Sequence, residues 1–285
     1  MPPQPMPIER PWRPVHAAMA RTLADARRQL HHASQFGAAL GISYLSHQAD
    51  DSHTNLGWDA SLGALRSRAA TGAHGAVSVA IRVVDLALLV RRDGATITTI
   101  PLDGVAITAA TESLRAALAR EGLDPAPLTL ARHYDIPPHA VATGAAFNTT
   151  NHGALEELAR WFGNAAMALD EVATTIPGAT SVRCWPHHFD IATLVTVRPG
   201  ATTGAGMAAG DQFYDEPYFY VNLHPQPTAD RLTERLAGGG SWHTRDWIGA
   251  VLPGSRVTGD ATAQQAQVRE FVASALDASR RLLAP

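Results

Sequence analysis

Hydrophobic periodicity switches from helical to strand spacing and back, twice and in the same order, and that order limits the folds open to this chain. From Val15 to Leu40, the residues Val15, Met19, Leu23, Leu30, Ala33 and Phe36 recur at helical spacing, and Asp50-Asp51-Ser52-His53-Thr54 breaks the pattern. Strand-like runs follow at Asn55–Leu65 and Val77–Val90, then the turn Arg92-Asp93-Gly94-Ala95 and a hairpin partner at Thr96–Leu102. A short amphipathic helix with Leu114 and Leu118 stops at Gly122. The order then repeats. A helix spans Ala154–Thr175, strands cover Val182–Val197, Tyr214–Leu223 and Ile248–Leu252, and a closing helix covers Gln264–Leu283. This predicts an α+β fold, an antiparallel sheet with helices packed on one face, as two similar α-β-β-β-α halves. The halves are 15–122 and 153–285, forming one compact unit, with a Pro- and His-rich connector at 123–152 and a disordered N-terminus at 1–14. The duplicate reading sets Trp58-Asp59-Ala60 against Phe189-Asp190-Ile191.

Composition removes whole classes of chemistry. All 23 basic residues counted as Lys plus Arg are arginines, so the chain is lysine-free. Schiff-base, pyridoxal-anchoring, P-loop and Ser/Lys mechanisms, which need an ε-amine, are excluded. The single Cys184 excludes intramolecular disulfides and cysteine-rich metal sites and predicts a reducing, cytoplasmic setting. A formal charge of −3 without a basic run argues against nucleic acid, and no apolar run reaches membrane-spanning length. The expected partner is a small molecule.

The segment Arg183-Cys184-Trp185-Pro186-His187-His188-Phe189-Asp190 places imidazoles and a carboxylate where a buried strand should begin. Unpaired, such groups cost several kcal/mol to bury, on the order of 2–7 for a neutral polar group, so they must be paired, metal-bound or in a wet pocket. Strand alternation puts His188 and Asp190 on one face and His187 on the other. Glu216, Tyr218 and Tyr220 share a face of the next strand. His243 follows three glycines, Gly238 to Gly240, whose composition fits a flexible lid. His188, Asp190, Glu216 and His243 therefore form a candidate set for catalysis or for a divalent Zn, Fe or Mn, the ligand types of hydrolytic zinc and facial-triad iron sites. The competing reading is a hydrogen-bonded His188/Asp190 pair at strand ends, with Glu216 exposed.

In the first half, Asp51 and His53 alternate with Asn55 along an extended entry and are a candidate acid/base dyad, or else part of a capping turn. His31 and Gln35, four residues apart, share a helix face. Asn55, Trp58, Trp185, His187, Tyr218, Tyr220 and Trp242 complete a candidate ligand pocket with them. The glycine-rich stretch Gly200–Gly210 is read as a loop, since no strand-turn-helix surrounds it.

The segments around His31-His32, Asp50 to Asp59, Arg183 to Leu194, Gly210 to Val221 and Ser241 to Thr244 together resemble a family of hypothetical proteins from high-GC bacteria. They are similar, more distantly, to domain-of-unknown-function family 5996. The resemblance runs from about Leu30 to Leu252, with Trp185-Pro186-His187-His188-Phe189-Asp190 its strongest element. That family carries no assigned activity, so the resemblance implies which segments matter and no chemistry. Two functions remain open from the residues: a small-molecule enzyme with a His/carboxylate site holding a divalent metal, as in metal-dependent hydrolases or oxygenases, and a noncatalytic small-ligand-binding module with an aromatic pocket.

Overall fold

The computed structural model describes residues 11–284. After a 3-10 turn at Ala17–Thr22 come helix α1 (Ala24–Tyr44) and strands β1 (Leu56–Asp59), β2 (Ala64–Ser67), β3 (Ala70–Gly72), β4 (Gly75–Arg82), β5 (Ala87–Arg92) and β6 (Ala95–Pro101). Helix α2 (Ile107–Arg120) closes this half. The second half has α3 (His152–Thr175), β7 (Arg183–Trp185), β8 (Asp190–Arg198), β9 (Ala201–Ala208), β10 (Tyr218–His224), β11 (Ser241–His243), β12 (Gly249–Pro253) and α4 (Ala261–Leu283). The strands form one antiparallel sheet in the order β11-β12-β10-β9-β8-β7-β1-β2-β4-β5-β6, with β3 beside β4. The helices cover one face, and the fold is α+β as expected.

Each half carries six strands rather than three, because three of the expected strands contain a turn and β3, β9 and β11 lie in stretches not read as strands. Asn55–Leu65 splits into β1 and the start of β2, Val77–Val90 into β4 and β5, and Val182–Val197 into β7 and β8. Along β8 and β10 the covered face follows the pleat: Ile191, Val195, Phe219 and Val221 are buried against helices, while Leu194 and Asn222 face outward. The four long helices bury their apolar stripes there, and that burial is the main driving force of the fold.

The stretch read as a loop instead holds the interior strand β9, paired with β8 and β10. Its glycines are required by what lies over them. A Cβ on Gly206 would meet the Tyr220 ring and hydroxyl at 2.5 Å, and one on Gly204 would meet Asn222 Oδ1 at 2.5 Å. The Gly238–Gly240 segment does not lead into a lid: Ser241–His243 pairs with β12 as an edge strand. Of the segment 1–14 expected to be disordered, 1–10 lie outside the described residues. Trp12 is buried, with its indole Nε1–H donating to Gln264 Oε1 at 3.2 Å, so the expectation fails for that residue.

The two halves meet where β1 and β7 pair through Leu56 and Cys184 alone. Flanking that junction are two four-residue turns of the same kind, 60–63 joining β1 to β2 and 186–189 joining β7 to β8. Their last residues share a left-handed conformation, φ +60° at Gly63 and +59° at Phe189. Matched turn to turn, Phe189 falls on Gly63 and Trp185 on Asp59, an offset from the sequence pairing of Trp58-Asp59-Ala60 with Phe189-Asp190-Ile191. Asp59 precedes its turn, and Asp190 follows its own.

Candidate functional site

Glycine takes a left-handed backbone freely, whereas a bulky residue such as phenylalanine there is an outlier costing on the order of 1–3 kcal/mol. The second half carries this strain at Phe189, and α1 holds it in place. The His31 ring stacks on the Phe189 ring at 4.6 Å, nearly parallel at 8°. His31 Nε2–H donates to the Pro186 carbonyl at 2.7 Å, and Gln35 Nε2–H donates to the same oxygen at 3.1 Å. Tyr134, from the connector, donates its hydroxyl to Gln35 Oε1 at 2.9 Å. Burial pushes the His31 pKa down to about 3, against the opposing Pro186 hydrogen bond, and the Tyr134 phenol up to about 12. Both are neutral at pH 7. His31 and Gln35 thus clamp a turn.

Asp190, the first residue after that turn, is buried on the sheet face opposite the helices. Its Oδ2 accepts a short hydrogen bond from the Tyr220 hydroxyl, and its Oδ1 has no partner among the described residues. Burial raises its carboxyl pKa, with Tyr220 and His188 pulling the other way. Burial and the adjacent Asp190 push the Tyr220 phenol far up. A second phenol-carboxylate pair lies alongside, Tyr218 donating to Asp211 Oδ2 at 2.6 Å.

The expected metal set does not assemble. Among the described residues no group of three or more His, Cys, Asp or Glu side chains is placed to hold a metal ion. His188 is an exposed turn residue, so the strand alternation that would have aligned it with Asp190 does not apply: Pro186 and the turn occupy 186–189. Glu216 is buried, accepting from Ser255 N–H at 2.5 Å and Ser255 Oγ at 3.0 Å. His243 Nδ1 lies 2.9 Å from the Tyr214 hydroxyl, and its ring stacks on Trp247 at 4.6 Å.

Asp51 and His53 do not pair with each other. Asp51 Oδ2 accepts from His133 Nε2–H at 3.1 Å, while His53 Nδ1 accepts from Gln48 N–H at 3.3 Å. Asn55 Oδ1 accepts from Arg68 Nε at 3.2 Å. His187 lies 5.6 Å from the Tyr134 ring and 5.9 Å from Trp185, its Nδ1 buried without a partner and its pKa lowered by burial to about 4. Trp242 donates Nε1–H to the Glu234 carbonyl at 2.9 Å and packs on the core.

A cleft opens instead at the junction of the halves. The β1–β7 ladder ends after one residue pair, and beyond it Gly57, Trp58, Val182 and Arg183 line, with residues of α3, a cavity of about 370 Å³. Arg66, Asp170 and Arg183 bring charge to its walls. Arg66 leans on Asp59 at 3.6 Å, and Asp59 is held more tightly by Arg91 at 2.6 Å. The half-buried Arg183 guanidinium makes no side-chain hydrogen bond or ion pair with any described residue. Burial first, then Arg68 and Arg66, depress its pKa, with Asp170 pulling the other way. Burial raises the Asp170 pKa. Of the expected pocket residues only Trp58 lines this cleft. Arg183 lies inside the most informative sequence segment, yet nothing in one dimension distinguishes an arginine without a partner from a paired one.

A Cys184 nucleophile is excluded by placement: the thiol is fully buried and its pKa is raised well above the ordinary value. No helix among the described residues is long and apolar enough to cross a membrane. Compared with known proteins, the chain matches no family model, no curated protein and no solved structure.

Proposed function

We propose that this protein binds a small anionic molecule in the cleft between its halves, in keeping with the second of the two functions open from the sequence. The observation that carries this reading is the Arg183 guanidinium, half-buried at the wall of an approximately 370 Å³ cavity with no acceptor among the described residues. A ligand carboxylate or phosphate supplies what the fold leaves out, and a charge-assisted hydrogen bond of that kind contributes about 1.5–3 kcal/mol. The cavity volume falls at the lower end of the roughly 300–1,000 Å³ range of small-molecule sites.

Calorimetric titration of the full chain with glutarate and with inorganic phosphate, at low ionic strength, tests the proposal. Saturable binding of at least one probe is expected, and Arg183→Gln is expected to weaken it by about 10–100-fold, the equivalent of 1.4–2.8 kcal/mol. Equal affinity in the variant, or no saturation in the wild type, overturns it.

A second reading rests on a separate observation. Strain at Phe189 is kept beside a buried carboxyl whose Oδ1 is unsatisfied, whereas the equivalent turn in the first half has Gly63 followed by Ala64. Strain and unsatisfied polar groups concentrate at functional sites, and a carboxyl with a raised pKa beside a phenol is suited to general acid chemistry. On this reading Asp190 is the acid and Tyr220 its hydrogen-bonded partner. Since the folded-state pKa is raised above the ordinary 3.8, the native state holds a proton that the unfolded chain has released. Stability attributable to Asp190 therefore falls as pH rises from 3.8 through the folded-state value. Asp190→Asn is expected to raise the unfolding free energy at pH 7 by about 1–3 kcal/mol and to change little at pH 3, as measured by denaturant titration. Destabilisation at pH 7 would count against a carboxyl retained at a cost in stability.

A further inference from the structure

We infer that the ligand of the junction cleft is a small zwitterion of the acidic amino-acid type, its anionic groups meeting Arg183 and Arg66 and its ammonium meeting Asp170. This rests on the cleft being a binding site, as proposed above, and names its substrate class. The cleft presents two guanidiniums and one carboxylate. Asp170, on the α3 side, has no side-chain hydrogen bond or ion pair with any described residue, and neither does Arg183 on β7. The two sense each other electrostatically, each shifting the other's titration, yet they do not come within ion-pair distance. A cation and an anion left apart on two walls of one polar cavity complement a molecule that carries both charges a few bonds apart. A simple anion satisfies only the arginines and sets its charge against Asp170. Of the other charges nearby, the Asp59 carboxylate is held by Arg91 and Arg66, and Arg68 is bonded to Ser52 O and Asn55 Oδ1.

Gly57 belongs to the same arrangement. A Cβ there would lie 2.8 Å from Arg183 Nη1, so the missing side chain leaves the guanidinium its present place along β1. Because the atom met is the end of a flexible side chain, Gly57→Ala is expected to move the guanidinium while leaving the fold intact.

The test compares L-glutamate with glutarate, which has the same two carboxylates and no ammonium, by calorimetric titration of the full chain at pH 7. The wild type is expected to bind glutamate at least about tenfold more tightly than glutarate. Asp170→Asn is expected to erase that preference with glutarate binding kept or improved. Arg183→Gln and Gly57→Ala are expected to weaken both ligands, with thermal midpoints close to wild type confirming that each variant is folded. Glutarate binding as tightly as glutamate in the wild type, or a glutamate preference that survives Asp170→Asn, overturns the zwitterion inference and leaves the anion site standing. Folded wild-type protein that binds neither compound overturns the zwitterion inference, and failure to bind inorganic phosphate as well overturns both.

Discussion

Phe162→Ala is expected to lower the unfolding free energy by about 3–5 kcal/mol, the range for removing a fully buried large aromatic side chain. Phe162 lies on α3 with no exposed surface. Its ring stands 6.1 Å from Trp58 of the first half and 5.4 Å from Phe189 of the second. Between the halves the sheet offers a single pair, Leu56 with Cys184, so this aromatic bridge is a large part of what fixes β1 against the 186–189 turn. Truncation leaves a cavity under the two elements that frame the cleft. Urea denaturation with an unchanged slope would measure the loss as a lower midpoint, and glutarate binding should weaken in parallel. A loss below about 1 kcal/mol, within the ordinary run of point substitutions, would mean that the halves are held together elsewhere.

His31→Ala should cost about 2–3 kcal/mol at pH 7, through the lost ring stacking on Phe189 and the lost hydrogen bond to Pro186 O. It should also change the pH dependence. The His31 pKa falls from 6.5 to about 3 on folding, so between those values the unfolded chain binds a proton that the native state refuses. The stability this residue contributes is complete above pH 6.5 and is lost as pH falls toward 3. His187, lowered to about 4, contributes in the same direction from a half-buried position. In the alanine variant the acid limb of the stability curve should flatten without disappearing. An acid limb identical to wild type would mean that His31 does not remain neutral in the fold. Asp190 acts with the opposite sign, so Asp190→Asn and His31→Ala should bend the curve in opposite directions.

Helix and strand periods were legible because each depends on neighbours in the chain: α3 and α4 fall within a few residues of their predicted spans, while α1 starts nine residues after Val15, behind the 3-10 turn at Ala17–Thr22. The turns inside the long apolar runs were harder. Gly63 and Phe189 occupy the same left-handed position, and only the glycine announces it, since the phenylalanine is held there by His31 from a helix more than 150 residues earlier. The glycines of β9 read as loop residues because their need for space comes from Tyr220 and Asn222 on the adjacent strand. Among the candidate site residues, the sequence pointed to the neighbourhood of Asp190 but matched it with the wrong partners. It chose His188, Glu216 and His243, while the hydrogen bond comes from Tyr220, which the sequence had placed in the ligand pocket.

What the chain's order of residues determined alone was its α+β class, the absence of lysine chemistry and the segments where polar groups meet buried backbone, all properties of local period and composition. The tertiary structure decided which charges are paired. Glu216 and Asp51 found partners, Arg183 and Asp170 found none among the described residues, and a cleft opened where a one-residue ladder joins the halves. Pairing depends on distances between segments far apart in the chain, and those distances exist only once packing has set them.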